Sequence, residues 1–159
     1  MTASTRGAGD GVHPDRYQYP AEERRPRSCH VTSATDAVDK LRRRGDQPCL
    51  VPQNLIEFRA VATRPASVNG LGMGQAQANG EIARLQSLYP VFPDVPAIFS
   101  EWERLVNAYI SEGKQNHDAR IVAAMLVHGI AALLTFNKAD FVRYSGIIVW
   151  TPQEVIAAA

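Results

Sequence analysis

Short apolar runs, each too brief to be a buried helix, alternate along this chain with apolar residues spaced at threes and fours. That alternation constrains the fold more than any other feature. Cys49, Leu50 and Val51 form one run, Ala132, Leu133, Leu134 and Thr135 a second, and Ile147, Ile148 and Val149 a third, with Val91 and Phe92 a shorter candidate. The stripes between them are helical. Val31, Ala34, Val38 and Leu41 predict a helix ending near Gly45, with Ser33 and Asp36 as a local cap and Arg42, Arg43 and Arg44 in its last turn. Leu55, Phe58 and Ala62 predict a helix opened by Pro52 and closed before Pro65, and Ile82 with Leu85 another. Ile98, Trp102, Leu105 and Tyr109, with Val106 beside them, mark a longer helix after Pro93 and Pro96. Ala119, Val122, Ala123 and Leu126 mark the next, which Gly129 is placed to end. Apolar strands separated by helices need cover on both faces, so the expected class is α/β with a mainly parallel sheet.

The first 30 residues do not share this pattern. They mix arginines, acids and prolines with no apolar run, so burial cannot offset their ordering entropy, and they are expected to be disordered. Residues 31–155 are expected to form one domain, as the 159-residue length allows. A formal net charge of +1 excludes a strong global attraction to nucleic acid, so any such binding rests on local patches. Two cysteines, Cys29 and Cys49, are too few for a disulfide framework or a four-cysteine zinc site. No apolar run approaches the ~20 residues of a membrane span, and the start has no signal-peptide core, so a cytoplasmic location without membrane contact is expected. The ASVNGLGMG segment at 66–74 has neither the spacing nor the lysine of a phosphate-binding loop.

Three acids follow the strand and helix signals. Glu57 follows the run at 49–51, Asp118 lies in the opening turn of a helix from about His117, and Asp140 follows the run at 133–136. In an open parallel sheet the loops after the strand ends converge on one edge, where such folds bind ligands. Carboxylates gathered there repel unless a cation holds them, and an oxygen-only set suits Mg²⁺ or Mn²⁺.

The string HDAR at 117–120, followed by LLTFNKADFVRYSGIIVWTP at 133–152, resembles the C-terminal half of the PIN-domain family, in particular its VapC-like toxin ribonucleases. NLIEFRAVATRP at 54–65 resembles the family's second acidic segment, and NGLG at 69–72 a loop of one bacterial branch, so the similarity runs from about Val31 to Pro152. The resemblance implies a PIN-like α/β/α sandwich with a mainly parallel central sheet, acting as a metal-dependent endoribonuclease of a toxin–antitoxin system. It implies Glu57, Asp118 and Asp140 as catalytic acids holding Mg²⁺ or Mn²⁺, with Thr135, Asn137, His117 and Arg120 in support. Thr135 and Asn137 would orient Asp140 or a water, and Arg120 would pair with Glu57 or Asp118 or contact phosphate. The partners implied are RNA, an antitoxin protein and a second copy of the chain.

The resemblance departs at the start, where the family places a hydrophobic strand ending in its first metal-binding Asp. Asp10 and Asp15 stand among Gly, His, Pro and Arg, so the first central strand is expected to be absent or replaced. Losing one anionic ligand weakens divalent-metal binding. The competing reading is therefore a catalytically dead PIN-like domain that binds a second copy or an antitoxin helix through the Trp102, Leu105 and Tyr109 stripe, unless that stripe is core. A DNA-binding helix pair is not evident.

Overall fold

The computed structural model describes residues 27–158, with side chains from residue 32 onward. The expected disordered start falls mainly on residues 1–26, outside the described residues, whereas residues 27–30 already belong to the first helix. The elements run α1 (Arg27–Arg43), α2 (Pro52–Thr63), a 3₁₀ turn (Ala66–Val68), α3 (Gln75–Leu88), α4 (Pro96–Tyr109), α5 (Gln115–His128), β1 (Ala132–Leu134), α6 (Lys138–Phe141), β2 (Ile148–Trp150) and α7 (Pro152–Ala157). Ser33 and Asp36 lie inside α1, past its start, so the expected local cap is not formed there.

α5 is the centre of the packing. Ala119, Ile121, Val122, Ala123, Ala124 and Met125 are all buried, which gives this helix apolar neighbours around most of its circumference. α4 lies against it through Ile98 and Leu105, with Trp102, Val106 and Tyr109 half-buried on the same core. The aromatic stripe thus serves the core. Trp102 Nε1 donates to the Asn116 carbonyl at 2.9 Å, so the indole is satisfied where it enters the interior. Gly129 ends α5 at φ 68°, a left-handed conformation that costs glycine little.

The apolar runs form less strand than their composition suggests. β1 and β2 pair in parallel with Leu133 opposite Val149, and Leu50 meets Val91 in a single parallel bridge. Among the described residues the sheet is this two-stranded pair, in place of the broad parallel sheet expected. Prolines explain the shortfall at the bridge. Val51 is already the N-cap of α2 with Pro52 following, while Pro90 and Pro93 flank Val91 and Phe92, and proline cannot donate to a ladder. Only one face of the β1–β2 pair enters the core, through Leu133 and Val149. The other carries Ala132, Leu134, Ile148 and Trp150, with Ile148 54% exposed. Cover on both faces is therefore not what the described residues provide.

Helix ends are tied down by neighbouring chain. Lys40 Nζ donates to the carbonyls of Ile156 (2.9 Å) and Ala158 (2.5 Å), and Arg44 Nη2 to that of Ala158 (2.7 Å), which fastens α1 to the end of α7. Arg42 donates to the Leu88 carbonyl and lies 4.9 Å from the Tyr89 ring centroid. The basic end of α1 is thus a structural clamp. α7 begins with a reciprocal cap: Glu154 N donates to Thr151 Oγ1, and Thr151 N donates to Glu154 Oε2. Lys138 Nζ, 2.6 Å from Glu154 Oε1, holds that carboxyl below the usual range.

The NGLG segment has a mechanical role. Leu71, Gly72 and Met73 donate their backbone N–H groups to the carbonyls of Val61, Arg64 and Ala62, folding the loop back over the open end of α2. Gly70 passes so close that a Cβ there would stand 1.8 Å from the Arg64 carbonyl oxygen. Gly70→Ala is accordingly expected to cost about 3 kcal/mol through overpacking against backbone. Urea unfolding checks this, and a change within error of zero would show that the loop relaxes freely.

Candidate functional site

Asp118 anchors the site. It lies in the first turn of α5, where the helix dipole favours an anion, yet it is only 6% exposed because the same helix is sunk in the core. Burial pushes its carboxyl above the ordinary aspartate range. Lys114 opposes that shift, while the charges of Asp140 and Glu57 add to it and His117 counters weakly. Of the three acids predicted from sequence, Glu57 on α2 and Asp140 on α6 are each within electrostatic range of Asp118 on α5.

Each outer acid has its own hydrogen-bonding support. Glu57 Oε1 accepts from Gln53 Nε2 at 2.8 Å, one turn earlier on α2. Asp140 Oδ2 accepts from Asn137 Nδ2 and pairs with Lys114 Nζ at 3.3 Å. Thr135 Oγ1 accepts from the Asn137 backbone N–H at 3.0 Å, so it braces the turn that carries Asn137 and does not touch Asp140 directly. His117 is exposed.

Arg120 does not pair with Glu57 or Asp118 as expected. Its Nη2 donates to Asp94 Oδ2 at 2.9 Å and its Nη1 to Gln53 Oε1 at 3.3 Å. It reaches Glu57 only through Gln53. The reason is positional: Arg120 stands two residues beyond Asp118 on α5, about 200° around the helix, facing the turn before α4 instead of the carboxylates. Arg59 and Arg143 are also engaged in structural contacts. Arg59 donates to Asn79 and Gln75 on α3, and Arg143 to the Tyr109 carbonyl.

Gln53, Asp94 and Lys114 belong to this site but were not singled out by the sequence. Gln53 is 6% exposed, and its spacing of four from Glu57 was the available signal. Asp94 and Lys114 had none, since their partners are far away in the chain.

The donors are hard oxygens and so match Mg²⁺ or Mn²⁺ in chemistry. Among the described residues, no three His, Cys, Asp or Glu side chains approach closely enough to hold one metal ion. The acids form an electrostatic cluster without closing around a common point. Among these residues, too, no helix is long and apolar enough to cross a membrane.

Comparison with protein-family models, with curated proteins and with solved structures finds no match to this chain.

The Asp118 shift sets a pH dependence. The folded protein holds this proton more tightly than the unfolded chain. The stability contributed by the neutral acid is therefore fully present below the unfolded pKa and lost as pH rises through the higher folded value. Asp118→Asn is expected to be more stable than the parent at neutral pH, with the difference vanishing near about pH 3, where the acid is protonated in both states. Urea melts at both pH values check the sign; a less stable variant at neutral pH would mean that the ionised carboxylate is a net stabiliser.

Proposed function

We propose that this chain is a PIN-like endoribonuclease domain of toxin–antitoxin type, with Asp118 at the centre of its site and Glu57 and Asp140 as the flanking acids. The observation that carries the reading is the burial of one carboxylate at the start of α5 with carboxylates from two other elements in electrostatic range. A folded chain keeps such a group only at a cost in stability. The resemblance of the HDAR and LLTFNKADF segments to the PIN family points the same way.

Glu57, Asp118 and Asp140 are the residues that would hold Mg²⁺ or Mn²⁺, and the ion would supply Lewis acidity for hydrolysis of an RNA phosphodiester. Asp118 contributes the least solvated charge, and Asn137 and Gln53 orient Asp140 and Glu57 through the hydrogen bonds they donate.

Cleavage of a mixed RNA pool by monodisperse protein with Mn²⁺ tests the reading. Cleavage reduced about 100-fold in Asp118→Asn is expected. Equal cleavage by both proteins would assign the activity to a contaminant, and no cleavage by either would remove the enzyme reading.

A second reading, a partner-binding domain without catalysis, is favoured by the bare face of the β1–β2 pair, where Ile148 and Trp150 are exposed. The partners implied by the resemblance are a second copy or an antitoxin. Light scattering of the full chain should give the mass of two copies, and of one in Ile148→Ser; a monomer in both cases would leave this face without a homodimer.

A further inference from the structure

Among the described residues the buried polar side chains are Gln53 and Asp118, each 6% exposed. Asp118 is one of the proposed acids, whereas Gln53 is a neutral amide, which an interior position keeps only when its polar ends are bonded. Both ends are. Gln53 Oε1 accepts from Arg120 Nη1 at 3.3 Å, and Gln53 Nε2 donates to Glu57 Oε1 at 2.8 Å. The direction of the amide between these two partners is forced, because a guanidinium only donates and a carboxylate only accepts. Arg120 is held in turn at its other terminal nitrogen. Nη2 donates at 2.9 Å to Asp94, which stands between Pro93 and Val95, the N-cap of α4. Glu57 is exposed on α2, so its carboxylate depends on the bond from Gln53 for a fixed direction.

We infer that Arg120 is a positioning residue for Glu57 and acts on it through the amide of Gln53. The inference rests on the ribonuclease reading, in which Glu57 holds the metal ion. Arg120 stands about 200° around α5 from Asp118 and pairs with none of the three acids, which makes the amide its route to the site. Without the guanidinium, Gln53 Oε1 has lost its donor in a buried position, and the amide is free to turn its carbonyl toward Glu57. A carbonyl facing a carboxylate repels it, so Glu57 loses the bond that directs it. The sign of the effect separates this role from a contribution of charge alone. Removing a nearby positive charge strengthens the binding of a cation, whereas removing a positioning residue weakens it.

Two measurements on the full chain test the inference. In the unsubstituted protein without metal, nuclear Overhauser contacts from the Gln53 side-chain NH₂ protons are expected to the Glu57 γ-methylene and not to the Arg120 δ-methylene. The reverse pattern overturns the inference, and this measurement decides the matter if a substituted protein does not fold. Mn²⁺ binding is then followed through the electron paramagnetic resonance signal of the free ion. Arg120→Met is expected to weaken binding about tenfold, as the loss of an outer hydrogen-bond partner does, and Gln53→Met by a similar factor. The double variant should bind no more weakly than Gln53→Met alone, since the route is already cut.

Binding unchanged or tightened in Arg120→Met, or losses that add in the double variant, overturns the inference and leaves the metal site standing. Absence of Mn²⁺ binding by the parent removes the ribonuclease reading and the positioning role with it.

Discussion

The burial of α5 is the constraint on which the rest of this structure depends. A helix surrounded on most sides must present small or apolar residues throughout, and Ala119 to Met125 do so. It also desolvates whatever stands at its first turn. Asp118 occupies that position, so the same packing that builds the core creates the most perturbed acid of the site. Stability and chemistry are coupled there through a single helix.

The elements around α5 divide the remaining work. α4 supplies the apolar contact face and exposes Phe99 at its edge, while α2 and α6 bring Glu57 and Asp140 to the Asp118 end. Amide side chains link these parts. Gln53 connects Glu57 to Arg120, and Asn137 connects Asp140 to the turn braced by Thr135. Three of these four bonds have an ionised partner, in Glu57, Arg120 or Asp140, and such charge-assisted bonds hold orientation more strongly than neutral ones. The NGLG loop and the Lys40 clamp stand apart from this network and serve to close helix ends.

The helices were legible because their signal is local. The helix openings at Pro52 and Pro96, the end of α5 at Gly129 and the stripe on α4 all follow from spacing and from residues with restricted backbones. The sheet was not, because an apolar run records burial without recording what pairs with it. Cys49 to Val51 reads as a strand, yet Leu50 forms one bridge and Val51 begins a helix. Similarly, Glu57, Asp118 and Asp140 could be named from the sequence, but whether they close on a common point is a matter of ångströms that spacing does not encode.

The sequence by itself determined the openings of α2 and α4, the end of α5 and the place of Asp118 in the first turn of α5, because each depends on residues within a turn or two, whereas the start of α1 and the short helices α6 and α7 were not read from it. Only the tertiary structure decided that Arg120 turns to Asp94, that Gln53 is buried beside Glu57 and that Phe99 stands exposed at a cleft. These depend on how α2, α4 and α5 cross. Partners at such crossings are separated by 26 residues for Asp94 and Arg120 and by 67 for Gln53 and Arg120, beyond the reach of any local pattern.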